Sequence, residues 1–442
     1  MSSSTPVPAG IGWLGIIRLG TVQAAIGAMV MLATSLLNRV MVVEYAIAAA
    51  VPAALVAWHY AVQLSRPLWG HASDRTARRS SWIMTGMGIL ALGTLLSVDA
   101  TILMSGSAMF PLILAIVGFA LIGLGVGMSG TALLALLASR VSVERKPAAA
   151  AISWTMMVAG IVVAAGISGA NLDPFSEARL AIVTSLVVLT AFCVAMLALR
   201  GLEKNSEPVC LPKSDAVQPD FKEVLRDIWQ DNQARRFTYF VFISMLAYSM
   251  QDLILEPFAG FVFAMTPGES TQLSGIQHSG ILLGMLVSGL GGSLYAKRFG
   301  ANLKLWIVLG CVGSAVMLAG LSMAAAIGPA WPLNANVFGL GVANGTFAVA
   351  AVGAMLGLAS DGKSSGEGAR MGVWGASQAI AFGAGGLLGA IIVDQLRSVM
   401  GQDSIAFQTV FAVEAVMFIL AALVATGTRL TRQNSIGKAV QA

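Results

Sequence analysis

Charged residues are scarce in this chain: only 11% of its 442 residues are Asp, Glu, Lys or Arg, whereas 57% are hydrophobic. A soluble domain carries about 25% charged residues, so the chain lacks the polar surface that water would require. Most of its surface is therefore expected to face lipid. At about 20 residues for each membrane-spanning helix, the length accommodates roughly a dozen spans joined by short loops.

Other absences narrow the class of protein further. Cys193, Cys210 and Cys311 have neither the spacing of a metal site nor that of a disulfide framework. No nucleophile, base and orienting group converge in any motif, so we expect the protein not to be an enzyme. The first dozen residues lack the pattern of a cleavable signal peptide. The net charge of +5 is explained by loops at an anionic membrane surface, and no nucleic-acid partner is expected.

Successive apolar runs predict twelve transmembrane helices, with boundaries accurate to a few residues. With the N-terminus in the cytoplasm, every one of the 26 lysines and arginines except Arg39, Arg179 and Arg397 falls on the cytoplasmic side. This asymmetry agrees with the positive-inside rule, so both termini are predicted to be cytoplasmic. The runs lie near 20–37, 46–64, 82–98, 110–138, 148–167, 180–199, 237–258, 274–294, 303–326, 334–359, 373–393 and 406–426.

A long hydrophilic segment divides the chain into two related halves. Similar motifs, such as Asn38-Arg39 and Gln251-Asp252, recur in both halves, as expected of a duplicated transporter. Apolar residues on one helical face of the segment predict an amphipathic helix on the inner membrane surface, either a connector or a docking surface for a partner protein. These residues are Phe221, Val224, Leu225, Ile228 and Trp229. The predicted domains are a six-helix half (1–200), a linker (201–236), a second six-helix half (237–426) and a tail (427–442).

The loop after the second predicted helix carries the motif Gly70-His-Ala-Ser-Asp-Arg-Thr-Ala-Arg-Arg79. It resembles the signature loop of the major facilitator superfamily, Gly-x-x-x-Asp-Arg-x-x-Arg-Arg. The resemblance implies an all-α membrane protein with two six-helix pseudo-repeats. Glycine permits close approach at a helix end, and a carboxylate can pair with a helix N-terminus or with an arginine. We expect a conformational role for the gating residues Gly70, Asp74, Arg75, Arg78 and Arg79.

Ionisable side chains within membrane spans are costly and usually functional. Asp252 and Glu256 lie one turn apart on the seventh predicted helix, and Arg39 lies near the outer end of the first helix at a similar depth. These two helices face each other in the superfamily fold, so an ion pair of Arg39 with Asp252 or Glu256 is predicted to gate the protein. A role in binding substrate or protons, and simple solvation among the outer headgroups, are the alternatives.

Two histidines lie at membrane depth, at nearly equivalent positions of the two halves: His59 and His278. A neutral imidazole can ligate a metal, including magnesium held in a macrocycle. The alternative is a histidine that is hydrogen-bonded to a neighbouring helix. Gln63, Asn38 or a backbone carbonyl could replace them as the ligand. The glycine-rich fourth and eleventh helices either pack closely or leave flat grooves for a planar ligand.

Longer motifs resemble those of one branch of the superfamily, the PucC/LhaA family of bacteriochlorophyll delivery proteins. The resemblance covers nearly the whole chain and implies a membrane factor that binds bacteriochlorophyll and hands it over during light-harvesting complex assembly or late pigment synthesis. It implies light-harvesting polypeptides or pigment-synthesis enzymes as partners, and the inner, intracytoplasmic photosynthetic membrane of a bacterium as the location. The motifs include Asn38-Arg-Val-Met-Val-Val-Glu44, His59-Tyr-Ala-Val-Gln63, Gln251-Asp252 and Arg370-Met-Gly-x-Trp374.

Two other functions stay open. The same fold serves secondary transporters of small amphipathic solutes, although the fifth helix lacks a Gly-Pro pair and the first and fourth lack a deep carboxylate. A structural subunit of an antenna complex is the third candidate. Pigment bound to the purified protein would distinguish pigment delivery from solute transport. Stoichiometric presence of the protein in mature antenna complexes would favour the structural subunit.

Overall fold

The computed structural model describes residues 11–66, 68–69, 73, 78–105, 109–141, 145–203, 226, 229–299, 303–360 and 367–427. Every regular element in these ranges is helical. Gly70, Asp74 and Arg75 of the signature loop lie outside the described residues, as do most of the predicted linker helix and the tail after residue 427. Predictions that concern those segments stay predictions.

The first of two compact units comprises residues 1–214 and 265–275. In this unit α1 packs against α5 and α6, while α3 packs along α4. Two π-helical segments, Leu32–Leu36 and Val40–Glu44, interrupt α1; such segments often occur at functional sites. The helices are α1 (Trp13–Glu44), α2 (Ala50–Val62), α3 (Arg79–Leu103), α4 (Met109–Arg140), α5 (Lys146–Asn171) and α6 (Glu177–Leu199).

The second unit comprises residues 215–264 and 276–442. Its most extensive contacts join α9 to α10 and α12, and α7 to α11 and α12. The helices are α7 (Asn232–Phe263), α8 (Pro267–Phe299), α9 (Leu303–Ile327), α10 (Leu333–Ser360), α11 (Glu367–Met400) and α12 (Asp403–Thr426). The first turns of α8, up to Gly275, group with the first unit.

Ten helices among the described residues are long and apolar enough to cross a membrane. The predicted spans at 46–64 and 274–294 correspond to α2 and α8, which are not among these ten. Helix α2 has only 13 residues, and the first half of α8 is rich in serine, threonine and glutamine. The chain is thus a multi-pass membrane protein, and the count of twelve spans stays a prediction.

Several helices begin earlier than their apolar runs indicate. The predicted starts at 180 and 237 become Glu177 and Asn232 in the structure. In both cases a side chain caps the helix: Ser176 Oγ accepts the N–H of Arg179 (3.1 Å), and Asp231 Oδ1 accepts that of Gln233 (2.8 Å). A hydropathy pattern does not detect these polar first turns, since capping satisfies backbone donors with polar side chains.

The contact between α3 and α4 depends on glycine. A Cβ added at Gly86 would lie 2.6 Å from the backbone nitrogen of Ser129, and one at Gly125 would lie 2.5 Å from that of Leu90. On α11, a Cβ at Gly385 would lie 2.5 Å from the carbonyl oxygen of Leu246. At these positions the small residues serve close helix packing. A Cβ at Gly130, by contrast, would meet nothing within 4 Å.

Candidate functional site

A series of hydrogen-bonded polar side chains at the end of α2 runs from the buried His59 to the exposed Arg66. Arg66 donates through a terminal guanidinium nitrogen to Gln63 Oε1, and Gln63 Nε2 lies 2.8 Å from His59 Nε2. His59 is 1% exposed and Gln63 is 7% exposed. The partners are three and four residues apart because one helical turn brings such positions together. The predicted hydrogen bond of His59 therefore forms within its own segment rather than to a neighbouring helix.

These two hydrogen bonds fix the tautomer of His59. A guanidinium cannot accept a hydrogen bond, so the amide oxygen of Gln63 faces Arg66 and its NH₂ group faces His59. His59 Nε2 then accepts, which places the proton of the neutral ring on Nδ1. Nδ1 is buried and has no hydrogen-bond partner in the described part of the chain. The ring thus presents an N–H donor, while its lone pair is held by Gln63.

A second buried cluster surrounds Arg39, near the end of α1. The guanidinium is 1% exposed. It pairs with Glu44 Oε1 at 2.5 Å, and it donates to Ser270 Oγ at 3.0 Å and to the carbonyl oxygen of Met265 at 2.6 Å. The cluster lies wholly within the first unit, because residues 265–275 belong to it. It ties the second π-helical segment of α1 to the start of α8.

The structure gives Arg39 a partner that the sequence did not single out, and the predicted gate with Asp252 or Glu256 stays a prediction. The sequence pointed to Asp252 or Glu256, but the ion pair in the structure is with Glu44, five residues further along α1. A buried charge requires compensation, and the π-helical segment Val40–Glu44 supplies a carboxylate locally. The side chain of Arg39 is buried, which argues against simple solvation of this residue among the outer headgroups.

In the second unit, Asp252 and His278 lie near enough to each other for their charges to interact. His278 is 9% exposed. Glu256, one turn after Asp252, is 2% exposed. The sequence had treated His278 and Asp252 as separate candidates for pigment binding and gating. A carboxylate beside an imidazole orients the ring and raises its basicity, which is the usual surrounding of a metal-binding histidine.

A third cluster, at the start of α3, was missed by sequence reasoning. Glu203 accepts the backbone N–H groups of Arg79 and Ser80 and the hydroxyl of Ser80, and it forms an ion pair with Arg140 at 3.2 Å. Burial opposes ionisation of Glu203, but these hydrogen bonds and Arg140 outweigh it and hold the pKa of its carboxyl below the ordinary value. Glu203 therefore caps the helix that begins with the last signature-loop arginine.

The two described arginines of the signature loop differ. Arg78 is exposed, whereas Arg79 donates to the carbonyl oxygen of Ala135 on α4 at 2.8 Å. Arg79 thereby links α3 to α4. Glu203 is 124 positions from Arg79 in sequence, and this separation concealed their contact. The signal that could have revealed it was a lone acidic residue available to pair with the basic loop.

At the opposite end of the first unit, Tyr45 lies in the loop after α1. Its hydroxyl is 3.5 Å from Glu177 Oε1. Burial, followed by the charges of Glu177 and Glu44, raises the pKa of Tyr45 to about 12. Tyr45 is therefore neutral at physiological pH and donates its hydroxyl proton to Glu177.

Among the residues described, no group of three His, Cys, Asp or Glu side chains could hold a bare metal ion. The polar clusters instead lie within a bundle of apolar helices. This arrangement defines an all-helical, multi-pass membrane protein. In agreement, a crystal structure of a point mutant of the nucleoside transporter NupG matches 94% of this chain and 99% of its own, with a TM-score of 0.64 at 15% identity. At that identity the likeness shows the fold alone.

The chain belongs to the PUCC protein family, whose family model matches residues 36–433. The "Bacteriochlorophyll synthase 44.5 kDa chain" of Rhodobacter capsulatus is 47% identical over 96% of this chain and 97% of its own length. "Protein PucC" of Rhodobacter capsulatus is 28% identical over 92% of this chain and 90% of its own. The predicted family is confirmed.

Proposed function

We propose that this protein binds bacteriochlorophyll or a late precursor in the membrane and hands it over, acting beside the enzymes of late pigment synthesis. The observation that carries the proposal is the 47% identity, over nearly the full length, to a protein named as a bacteriochlorophyll synthase chain. Identity to PucC is only 28%, so we favour pigment-synthesis enzymes over light-harvesting polypeptides as partners. We propose a carrier rather than a catalyst, because the fold is that of a solute transporter.

His278 is our candidate for the axial ligand of the magnesium macrocycle. It lies near the carboxyl of Asp252, with which it interacts electrostatically, and a nearby carboxylate is a common neighbour of metal-binding histidines. The Nε2 lone pair of His59 is already engaged by Gln63. His59 is instead suited to donate through Nδ1–H to a carbonyl substituent of a pigment. Gln63 then acts indirectly, by fixing the tautomer of His59.

The proposal is tested by purifying the protein gently from pigment-replete phototrophic cells. The wild type should carry pigment, detected by absorption and by solvent extraction. His278→Phe keeps the bulk of the side chain but removes the ligand nitrogen, so it should lose most of the pigment. Leu283→Phe, at a 43% exposed position of the same helix, is the matched control and should retain it. Colourless wild-type preparations would contradict the proposal.

The role of His59 is tested separately with Gln63→Leu. This change removes the amide and frees the Nε2 lone pair of His59. If His59 donates through Nδ1–H, both His59→Phe and Gln63→Leu should lower pigment content. If His59 ligates magnesium, Gln63→Leu should instead raise it. Trp58→Phe, at a 44% exposed position beside His59, serves as the control.

We further propose a bacterial inner, intracytoplasmic photosynthetic membrane as the location, with twelve spans and cytoplasmic termini. The positive-inside asymmetry of the sequence supports this orientation. For Gly70, Asp74, Arg75, Arg78 and Arg79 we propose a conformational role at the cytoplasmic face. The bond from Arg79 to α4 supports that role for the last of them.

A further inference from the structure

A carboxyl group lies in the middle of α12 without compensation. Glu414 is the twelfth of the 24 residues of this helix and is 0% exposed. Neither carboxyl oxygen has a hydrogen-bond partner in the described part of the chain. Because α12 is one of the helices apolar and long enough to span a membrane, this position falls near the centre of the bilayer.

The surroundings of Glu414 on its own helix are aromatic. Phe411 and Phe418, three residues before and four after it, share its helical face and are both 0% exposed. Their rings pack against Phe258 of α7 and Phe347 of α10, with centroid distances of 4.9 and 5.5 Å. Glu414 therefore lies in an apolar layer between helices.

One further polar group near this level, the amide nitrogen of Asn344, lacks a partner among the described residues. Helices α9 and α12 run antiparallel, since Ser322 Oγ donates to the carbonyl oxygen of Gln408 at 2.9 Å and Lys304 donates to that of Thr426. Equal rise along the two helices then places Glu414 roughly level with positions 314–318 of α9. There, Ser314 Oγ donates to Asn344 Oδ1 at 2.7 Å, but Asn344 Nδ2 has no partner among the described residues.

An ionised carboxylate in this apolar setting is strongly disfavoured, whereas the protonated acid is far easier to bury. We propose that Glu414 is a proton-binding site of the second unit. The carboxyl holds a proton while the contacts of α12 with its neighbours are closed, and it releases the proton to water when those contacts open. The closed packing of this unit is then coupled to proton binding, a function beyond pigment handling.

The other titratable groups on the packed helices do not compensate Glu414. On α7 the nearest are Tyr248, Asp252 and Glu256, of which the last two are themselves acidic and lie within about a turn of its level, whereas Arg235, Arg236 and Tyr239 lie toward the start of the helix. On α9 they are Cys311 and Lys304, the latter bound to the end of α12. The sequence of α10 contains no ionisable side chain. On α11, Arg397 forms an ion pair with Asp403, the first residue of α12. Asp394 lies one turn before Arg397 on α11.

The sign of the pH dependence follows from linkage. The closed packing binds a proton that an opened or unfolded state releases above the ordinary glutamate pKa, about 4.3. Raising the pH above this value therefore destabilises the closed packing, by a factor of up to about ten in its equilibrium constant for each pH unit. Glu414→Gln, which mimics the neutral acid, removes this dependence.

Infrared spectroscopy of the purified full-length protein tests the proposal directly. At pH 7 the wild type should show the carbonyl band of a protonated carboxylic acid, shifted by D₂O and by ¹³C-glutamate. Glu414→Gln should lose that band, while Glu177→Gln, at an exposed position, should keep it. A band unchanged in Glu414→Gln, or no such band in the wild type, would overturn the proposal.

Thermal unfolding from pH 5 to 9 is the second measurement. The wild type should lose stability relative to Glu414→Gln as the pH rises; parallel curves would count against a proton site. If Glu414→Gln does not accumulate, Glu256→Gln labelled with ¹³C-glutamate replaces it. Glu256 and Glu414 are the buried glutamates among the described residues. A labelled acid band that survives in Glu256→Gln therefore belongs to Glu414. Loss of the band in Glu256→Gln would refute the assignment to Glu414.

Discussion

At the scale of single residues, two of the buried polar side chains, Arg39 and His59, find partners close by in sequence. Glu44 compensates Arg39 from five positions away, and Gln63 holds His59 from four. Sequence reasoning sought a partner for Arg39 in the other half of the chain. A buried charge has to be paired within hydrogen-bonding distance, and a local carboxylate achieves this at little cost in chain entropy.

A double-mutant cycle of Arg39→Gln and Glu44→Gln tests this pair. Arg39→Gln should destabilise the protein more, because Arg39 also holds Ser270 and Met265 and its side chain is 2% exposed against 29% for Glu44. The coupling free energy should be about 1–3 kcal/mol, since the residues are in direct contact. It is measured by unfolding in mixed micelles.

The comparison cycle combines Arg39→Gln with Glu256→Gln. Additive effects are expected there, within about 0.5 kcal/mol. Substantial coupling in this second cycle, together with none between Arg39 and Glu44, would restore the gate that the sequence predicted.

At the scale of elements, glycine position rather than glycine content decides how helices approach each other. Gly86 and Gly88 both lie on α3, yet only Gly86 meets backbone of α4 closely. The sequence shows that α4 and α11 are rich in small residues, but not which of those residues are in contact. Helix rotation decides this, and it depends on the packing of all neighbouring helices.

Gly86→Ala and Gly88→Ala therefore form a matched pair. The added methyl at Gly86 would lie 2.6 Å from the nitrogen of Ser129 and force α3 away from α4, so a loss of about 1–3 kcal/mol is expected. Gly88→Ala meets nothing within 4 Å and should be neutral or stabilising by up to about 1 kcal/mol, because alanine favours a helix. Thermal unfolding of the two variants checks this; equal stability would show that α3 and α4 are not in close contact.

At the scale of the whole molecule, ten helices satisfy the criteria of a span among the described residues, and α2 and α8 decide the topology. Helix α2 continues into the 3-10 turn Gln63–Ser65, which lengthens it by about one turn. If α2 crosses the membrane, the loops before and after it lie on opposite sides. If it does not, the orientation of every later helix is reversed.

Single cysteines placed at Ala48 and at Arg78, in a cysteine-free background, test this topology. An impermeant maleimide applied to intact cells should label position 48 and leave position 78 unlabelled. A reporter fused after Gly427 should be cytoplasmic. Labelling of both cysteines from the outside would show that α2 does not span the membrane, and the predicted positive-inside asymmetry would then be accidental.

The sequence by itself determined the membrane class, the family and the approximate positions of the helices, because hydropathy and long motifs are local properties of the chain. It also singled out His59, His278 and Arg39 as costly residues in an apolar setting. Only the tertiary structure decided which groups meet: Glu44 at Arg39, Asp252 at His278, Glu203 at Arg79, and no partner for Glu414 within the described residues. The physical reason is that pairing depends on helix rotation and register, which the packing of the complete bundle sets.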